Sequence, residues 1–116
     1  MALEHATPLT AIDLLASSEE WGTALSTSFL KTAQLQLLRI VLSAGDRLPQ
    51  HQVPNEITIQ CLMGEVYVTT PQSTATLTHG CLMALPAGEP HAVSADRDAV
   101  LLVTIVKGAK HDESAA

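Results

Sequence analysis

The sequence predicts an all-β fold in a single domain, and three observations carry this prediction. The chain has 116 residues, which is the usual length of one domain. Its hydrophobic content is 47% and its charged content is 16%, so the chain is able to bury a core. Short apolar segments follow one another between turn-forming residues, which leaves no room for the crossover helices of a parallel α/β fold.

The order of these segments divides the chain into three parts. Residues 1–25 are mixed in character and are expected to form an irregular N-terminal arm. Residues 26–106 form the expected β domain, and residues 107–116 are a polar tail rich in small side chains. The strands expected in the domain are Ser26–Gln34, Leu35–Ser43, Glu56–Leu62, Glu65–Thr70, Ala75–Thr78, Leu82–Leu85, His91–Ala95 and Ala99–Val106.

Residues 32–42 also have the composition of an amphipathic helix. We expect a strand there instead, because the segment ends in Ile40-Val41-Leu42, of which the first two residues are β-branched. Gly45 and Pro49 follow closely, and both are typical of a loop. A strand that leads into a loop beside a binding site therefore fits these residues better than a helix.

Charge and aromatic content exclude two classes of partner. Six Lys and Arg against twelve Asp and Glu give a net charge of -6, which repels a phosphate backbone and an anionic membrane. Aromatic residues are only 3% of the chain, too few for a platform that stacks single-stranded bases. The longest apolar run, Val100–Val106, is far shorter than a spanning helix, and no signal peptide is recognisable. We therefore expect a cytoplasmic protein that binds neither nucleic acid nor membrane.

The two cysteines, Cys61 and Cys81, lie within apolar segments and do not form a closely spaced redox or zinc pair. Two interpretations remain open for them. They are either two buried thiols in a reducing cytoplasm, which we favour, or a disulfide that joins neighbouring strands.

Two segments of the β domain have a characteristic spacing of glycine, proline and histidine. In the first, His51 follows Gly45 after five intervening residues, and Gly64 closes the segment. In the second, Gly80 is followed by Pro86, Gly88 and His91. This pair of motifs resembles the two motifs of the cupin superfamily, in its small single-domain (RmlC-like) form. The resemblance covers about residues 35–106 and implies a double-stranded β-helix, or jelly-roll, barrel.

The cupin resemblance also implies a central pocket. Metal-binding cupins take two His and one Glu from the first motif and one His from the second, and these positions correspond here to His51, Val53, Ile57 and His91. Two of the four ligands are therefore replaced by hydrocarbon side chains. Alternation along the strands adds further pocket residues, so the expected lining is His51, Val53, Ile57, Ile59, Cys61, His91 and Val93.

A metal at His51 and His91 would lack the third protein ligand that a facial triad requires. Glu56 lies one residue before the expected ligand position, so it faces the pocket only if a β-bulge turns it inward. The resemblance thus implies at most a weakly bound divalent metal and no other cofactor. No nucleophile–base–acid trio is recognisable, so no catalytic residue is assigned.

Two hypotheses of function follow, with one expectation about assembly. The first is a small-molecule-binding cupin with a depleted two-His metal site, and the alternative is a metal-dependent cupin enzyme of the dioxygenase, isomerase or decarboxylase type. A dimerisation module with a vestigial cavity is a third possibility. We expect a homodimer, because residues 35–42 and Val100–Val106 are apolar on both faces and cupins commonly pair through such strands.

Overall fold

The structure, a computed structural model, describes residues 7–15 and 26–107 of the chain. Residues 26–107 contain nine strands and no helix. The strands are β1 (Ser26–Lys31), β2 (Leu35–Leu42), β3 (Arg47–His51), β4 (Glu56–Met63), β5 (Glu65–Thr69), β6 (Thr74–Thr78), β7 (Leu82–Leu85), β8 (His91–Ser94) and β9 (Ala99–Val106). The predicted all-β fold is confirmed. Within residues 32–42, Leu35–Leu42 form strand β2 rather than a helix. Thr32–Gln34 belong to the turn between β1 and β2, so the predicted strand Ser26–Gln34 is three residues too long.

The strands form two antiparallel sheets that pack on one core. The five-stranded sheet has the order β1-β2-β9-β4-β7, and the four-stranded sheet has the order β3-β8-β5-β6. The two sheets are not closed into a barrel, so the expectation of closure was wrong. The reason is that, within the described residues, the edge strands of one sheet form no ladder with the edge strands of the other, and the two layers pack through the side chains of the core.

Burial alternates along the inner strands, as two packed sheets require. In β4 the side chains of Ile57, Ile59 and Cys61 are buried, while those between them are only half-buried. The four-stranded sheet contributes Val66 and Val68 from β5 to the same core. The alternating apolar residues of the sequence therefore mark the inner faces of both sheets.

Strand β3 was not among the predicted strands, because its sequence gives no strand signal. Only Leu48 of its five residues is half-buried, and the others are exposed. Pro49 lies in its middle and has no N–H to donate to a ladder. β3 exists because it is an edge strand that pairs with β8, and tertiary pairing outweighs its local sequence.

The described part of the N-terminal arm, residues 7–15, forms turns and contacts the outer face of the five-stranded sheet. The side chain of Arg39, on β2, is buried and its Nε donates a hydrogen bond of 3.0 Å to the Leu14 carbonyl oxygen. Arg39 alternates with the inward-facing Leu38 and Ile40, so it marks the outer face. Part of that face is thus covered by the chain itself.

No helix in the described ranges is long and apolar enough to cross a membrane.

Candidate ligand-binding cavity

A cavity of about 80 Å³ lies between the two sheets. Strands β2, β4 and β9 supply one wall, and β3 and β8 supply the other. All but two of its lining side chains are aliphatic, and the exceptions are histidines. The lining consists of Leu38, Ile40, Leu48, His51, Val53, Ile57, Ile59, His91, Val93, Leu101, Val103 and Ile105.

A bulge in β3 turns His51 toward this cavity. Leu48 pairs with Val93 and His51 pairs with His91, so three steps along β3 correspond to two steps along β8. Without the extra residue, strict alternation would place Leu48 and His51 on opposite faces of the sheet. Because the bulge inserts one residue, both side chains line the same cavity.

The two imidazole rings lie against each other. Their centroids are 4.4 Å apart and their planes are inclined by 57°. Each ring is oriented by a backbone carbonyl two residues earlier: His51 Nδ1 lies 3.1 Å from the Pro49 oxygen, and His91 Nδ1 lies 3.0 Å from the Glu89 oxygen. A carbonyl oxygen only accepts hydrogen bonds, so Nδ1 is the donor in both rings. In the neutral form each ring therefore keeps the lone pair of its Nε2 for a ligand.

Exposure changes from one end of the cavity to the other. His51 is exposed, and its neighbours Leu48 and Val53 are half-buried, so they form the mouth. His91 is only 3% exposed, and Ile59 and Leu101 below it are fully buried or nearly so. A ligand would therefore enter past His51 and reach His91 within the core.

The structure brings together most of the residues predicted for the pocket. His51, Val53, Ile57, Ile59, His91 and Val93 all line the cavity. Cys61 does not line it, although it is buried on the same face of β4 as Ile59. Its thiol lies 3.3 Å from the carbonyl oxygens of Met63 and Gly64, at the far end of the strand from the histidines. Burial raises the pKa of this thiol.

Sequence reasoning missed half of the lining. These residues are Leu38, Ile40, Leu48, Leu101, Val103 and Ile105. Five of them alternate along β2 and β9. This period-two signal was masked because several residues of the opposite face, Leu37, Val41, Val100 and Leu102, are apolar as well. Leu48 belongs to the strand that the sequence did not reveal.

The residues present do not fit the four-ligand metal centre of metal-binding cupins. Val53 and Ile57 present hydrocarbon to the cavity where that centre needs ligands. Glu56 is exposed at the start of β4, and the irregularity of that strand lies at its other end, between Cys61 and Met63. Nothing therefore turns the Glu56 side chain inward. Among the described residues, no three His, Cys, Asp or Glu side chains are grouped as metal ligands.

The two cysteines are free thiols in the structure. They are close in the fold, since the Cys61 N–H donates to the Cys81 carbonyl oxygen at 2.9 Å. The Cys61 side chain is buried and Cys81 is exposed. The expectation that both thiols are buried was therefore wrong for Cys81, because this residue directly follows the turn before β7.

Comparison with solved structures identifies the fold. A conserved protein of unknown function from Streptococcus pyogenes superposes with a TM-score of 0.72 and 23% identity, covering 92% of this chain and 95% of that one. An RmlC-like cupin with a double-stranded β-helix fold from Methanocaldococcus jannaschii gives a TM-score of 0.69 and 18% identity, covering 78% and 86%. The DMSP lyase DddQ from Ruegeria pomeroyi gives a TM-score of 0.61 and 28% identity, but covers 65% of this chain and only 39% of that one.

Several further cupin structures superpose on the chain as well. No family profile matches the sequence, and no curated protein matches it. The chain therefore has the cupin double-stranded β-helix fold, and the fold that the two motifs implied is confirmed. Among these neighbours one is named as a DMSP lyase and one as a protein of unknown function, and the fold does not decide between such cases, so function has to be argued from the cavity.

Proposed function

We propose that this cupin-fold protein binds a small molecule in the cavity that His51 and His91 line. The observation that supports the proposal most strongly is a nearly buried imidazole, His91, in a hydrocarbon cavity that opens to solvent at His51. An apolar cavity with a small number of convergent polar groups is the usual form of a small-molecule site. Binding would remove the ligand's apolar surface from water, and this burial favours the complex.

A metal-dependent enzyme is the weaker alternative. Two imidazoles leave most of a metal's coordination shell to water, and the exposed Glu56 supplies no third ligand. We accordingly propose no catalytic step, and any divalent ion would be held weakly by His51 and His91.

The proposal can be tested with a library of small neutral molecules and methyl NMR spectra. Binding in the cavity should shift the methyl signals of Ile57, Ile59 and Val93, which line it. Those of Leu77, which is buried in the core but does not line the cavity, should remain in place. If no compound shifts the lining methyl groups at millimolar concentration, the proposed function is wrong.

A pair of matched variants separates the cavity from the outer surface. Val53→Phe places a bulky side chain at the mouth, whereas Val41→Phe places the same side chain on the outer face of β2. We expect the first variant to lose binding and the second to retain it.

Elemental analysis of protein purified without chelator tests the alternative of a metal-dependent enzyme, which requires about one metal ion per chain that is retained on dialysis.

A further inference from the structure

The His91 imidazole carries an unused hydrogen-bond acceptor inside the core. Its Nδ1 donates to the Glu89 carbonyl oxygen at 3.0 Å, which fixes the proton on that nitrogen. Within residues 7–15 and 26–107, no protein group donates to its Nε2, although the side chain is 97% buried. Buried polar atoms of folded proteins are nearly always paired, so an unpaired acceptor in the wall of a cavity points to a partner from outside the chain.

The rest of the cavity wall excludes a charged partner. Apart from the two histidines, every lining residue is Leu, Ile or Val. A carboxylate or an ammonium group bound there would lose its hydration without meeting an opposite charge. In its neutral form each imidazole with its proton on Nδ1 presents an Nε2 lone pair, which is an acceptor and matches a donor on the ligand.

The volume of the cavity limits the buried part of the ligand. Its 80 Å³ is about half of a cavity of about 150 Å³ that accepts benzene, so it holds roughly three to five non-hydrogen atoms. The exposed His51 lies at the mouth, with its ring centroid 4.4 Å from that of His91, and no described residue donates a hydrogen bond to its Nε2. A larger ligand would extend outward past this second acceptor.

We infer that the cavity selects a small, neutral and mainly hydrocarbon molecule that carries one hydrogen-bond donor, either a hydroxyl or an N–H. This donor forms a hydrogen bond to His91 Nε2. This inference rests on the proposed function and narrows it to a ligand class. The hydrocarbon part packs against Ile57, Ile59 and Val93, and the donor pairs the acceptor that the protein leaves unpaired.

Pyrrole and furan are the probes that test the inference. They are five-membered rings of nearly the same size, but pyrrole has an N–H donor where furan has only an oxygen acceptor. At pH 8, where a free imidazole is neutral, both are titrated into the whole chain and followed by the methyl signals of Ile57 and Ile59. We expect millimolar binding, with a dissociation constant for pyrrole roughly three- to tenfold lower than for furan, the ratio that one net hydrogen bond provides.

A variant of His91 tests whether this residue causes the preference for pyrrole over furan. His91→Leu should bind the two rings equally, because it removes the acceptor and keeps an apolar side chain of similar size. His79→Leu is the matched control, since His79 is exposed in the turn before β7 and does not line the cavity. It should retain the preference for pyrrole. If His91→Leu does not fold, the comparison of pyrrole with furan in the unaltered chain still decides the question.

The possible results distinguish the inference about the ligand class from the proposed function on which it rests. Preference for pyrrole supports the donor-selective site. Equal binding of both rings, or preference for furan, overturns the inference but leaves the proposed function standing. Failure of both rings to shift the lining methyl groups, while other neutral compounds succeed, overturns the inference alone. Failure of every compound overturns the proposed function together with the inference.

Discussion

The chemistry of the two cavity histidines depends on the carbonyl group two residues before each of them. Pro49 and Glu89 each accept a hydrogen bond from the Nδ1 of the following histidine, at 3.1 and 3.0 Å. The motifs predicted which histidines face each other, because their spacing is a property of the sequence. They did not predict the tautomer, because it depends on backbone geometry that appears only when the turns are formed.

A second pair of side chains, on the outer face of the four-stranded sheet, allows a prediction at the residue scale. The Tyr67 hydroxyl donates to Glu65 at 3.2 Å, and the negative charge of Glu65, followed by that of Asp96, raises the pKa of Tyr67. Tyr67 is the only tyrosine in the chain, so alkaline absorbance titration reports on it alone. We expect its midpoint above that of the chain unfolded in denaturant.

Replacing the responsible carboxylate gives the corresponding test. Glu65→Gln should lower the pKa of Tyr67 toward its ordinary value of about 10, because the phenolate no longer forms beside a negative charge. Glu56→Gln removes an exposed carboxylate from the other sheet and should leave the titration unchanged. A Tyr67 midpoint that Glu65→Gln does not move would show that the Glu65 charge is not its cause.

At the scale of elements, strands whose side chains alternate between core and surface are readily predicted from the sequence. β4 and β5 are of this kind, and their predicted bounds agree with the observed ones to within one residue. β3 is of the other kind, since it is mostly exposed and contains Pro49. Its bulge nevertheless turns His51 inward, so part of the cavity depends on an element that local sequence could not reveal.

The turn between β4 and β5 depends on Gly64 for two reasons. Its φ is +79°, which side-chain-bearing residues rarely adopt, and a Cβ atom there would overlap the Asp98 carbonyl oxygen. Gly80 has a similar φ of +89° but open space around it. We therefore expect Gly64→Ala to lower the free energy of unfolding by about 1–3 kcal/mol more than Gly80→Ala does.

Urea denaturation of both glycine variants measures this difference directly. Both variants place a Cβ atom on a residue with positive φ, so this cost cancels in the comparison. The remaining difference in the free energy of unfolding is the cost of the contact between the new Cβ atom at position 64 and the Asp98 carbonyl oxygen. Equal destabilisation of the two variants would mean that the Asp98 backbone moves away freely.

At the scale of the whole molecule, the outer face of the five-stranded sheet carries several apolar side chains that the core of a single chain does not use. Leu37 and Val41 on β2 and Leu102 on β9 are half-buried on that face, where Arg39 is covered by residue 14. At its margins Leu35 is 40% exposed and Leu82 is 55% exposed. Apolar side chains gathered on one outer face are typical of an interface.

The homodimer expected from the sequence remains a prediction, and this face is where we place it. Sedimentation at micromolar concentration should show a dimer. The double variant Leu37→Lys with Leu102→Lys should be monomeric, because it places charges within the interface. Leu9→Lys changes a fully exposed leucine in the N-terminal arm and should remain dimeric. A monomer for the unaltered chain would contradict the prediction.

The ring nitrogens of His91 offer the most direct test of the cavity as a ligand site. Long-range ¹H–¹⁵N NMR spectra distinguish a protonated ring nitrogen from a bare one, and comparison with His91→Leu assigns the signals. We expect Nδ1 to carry the proton and Nε2 to be bare, as the hydrogen bond to Glu89 requires. Adding pyrrole should shift the Nε2 signal as the lining methyl groups shift. A proton on Nε2, or an Nε2 signal that stays in place while pyrrole saturates the cavity, would contradict a site centred on His91.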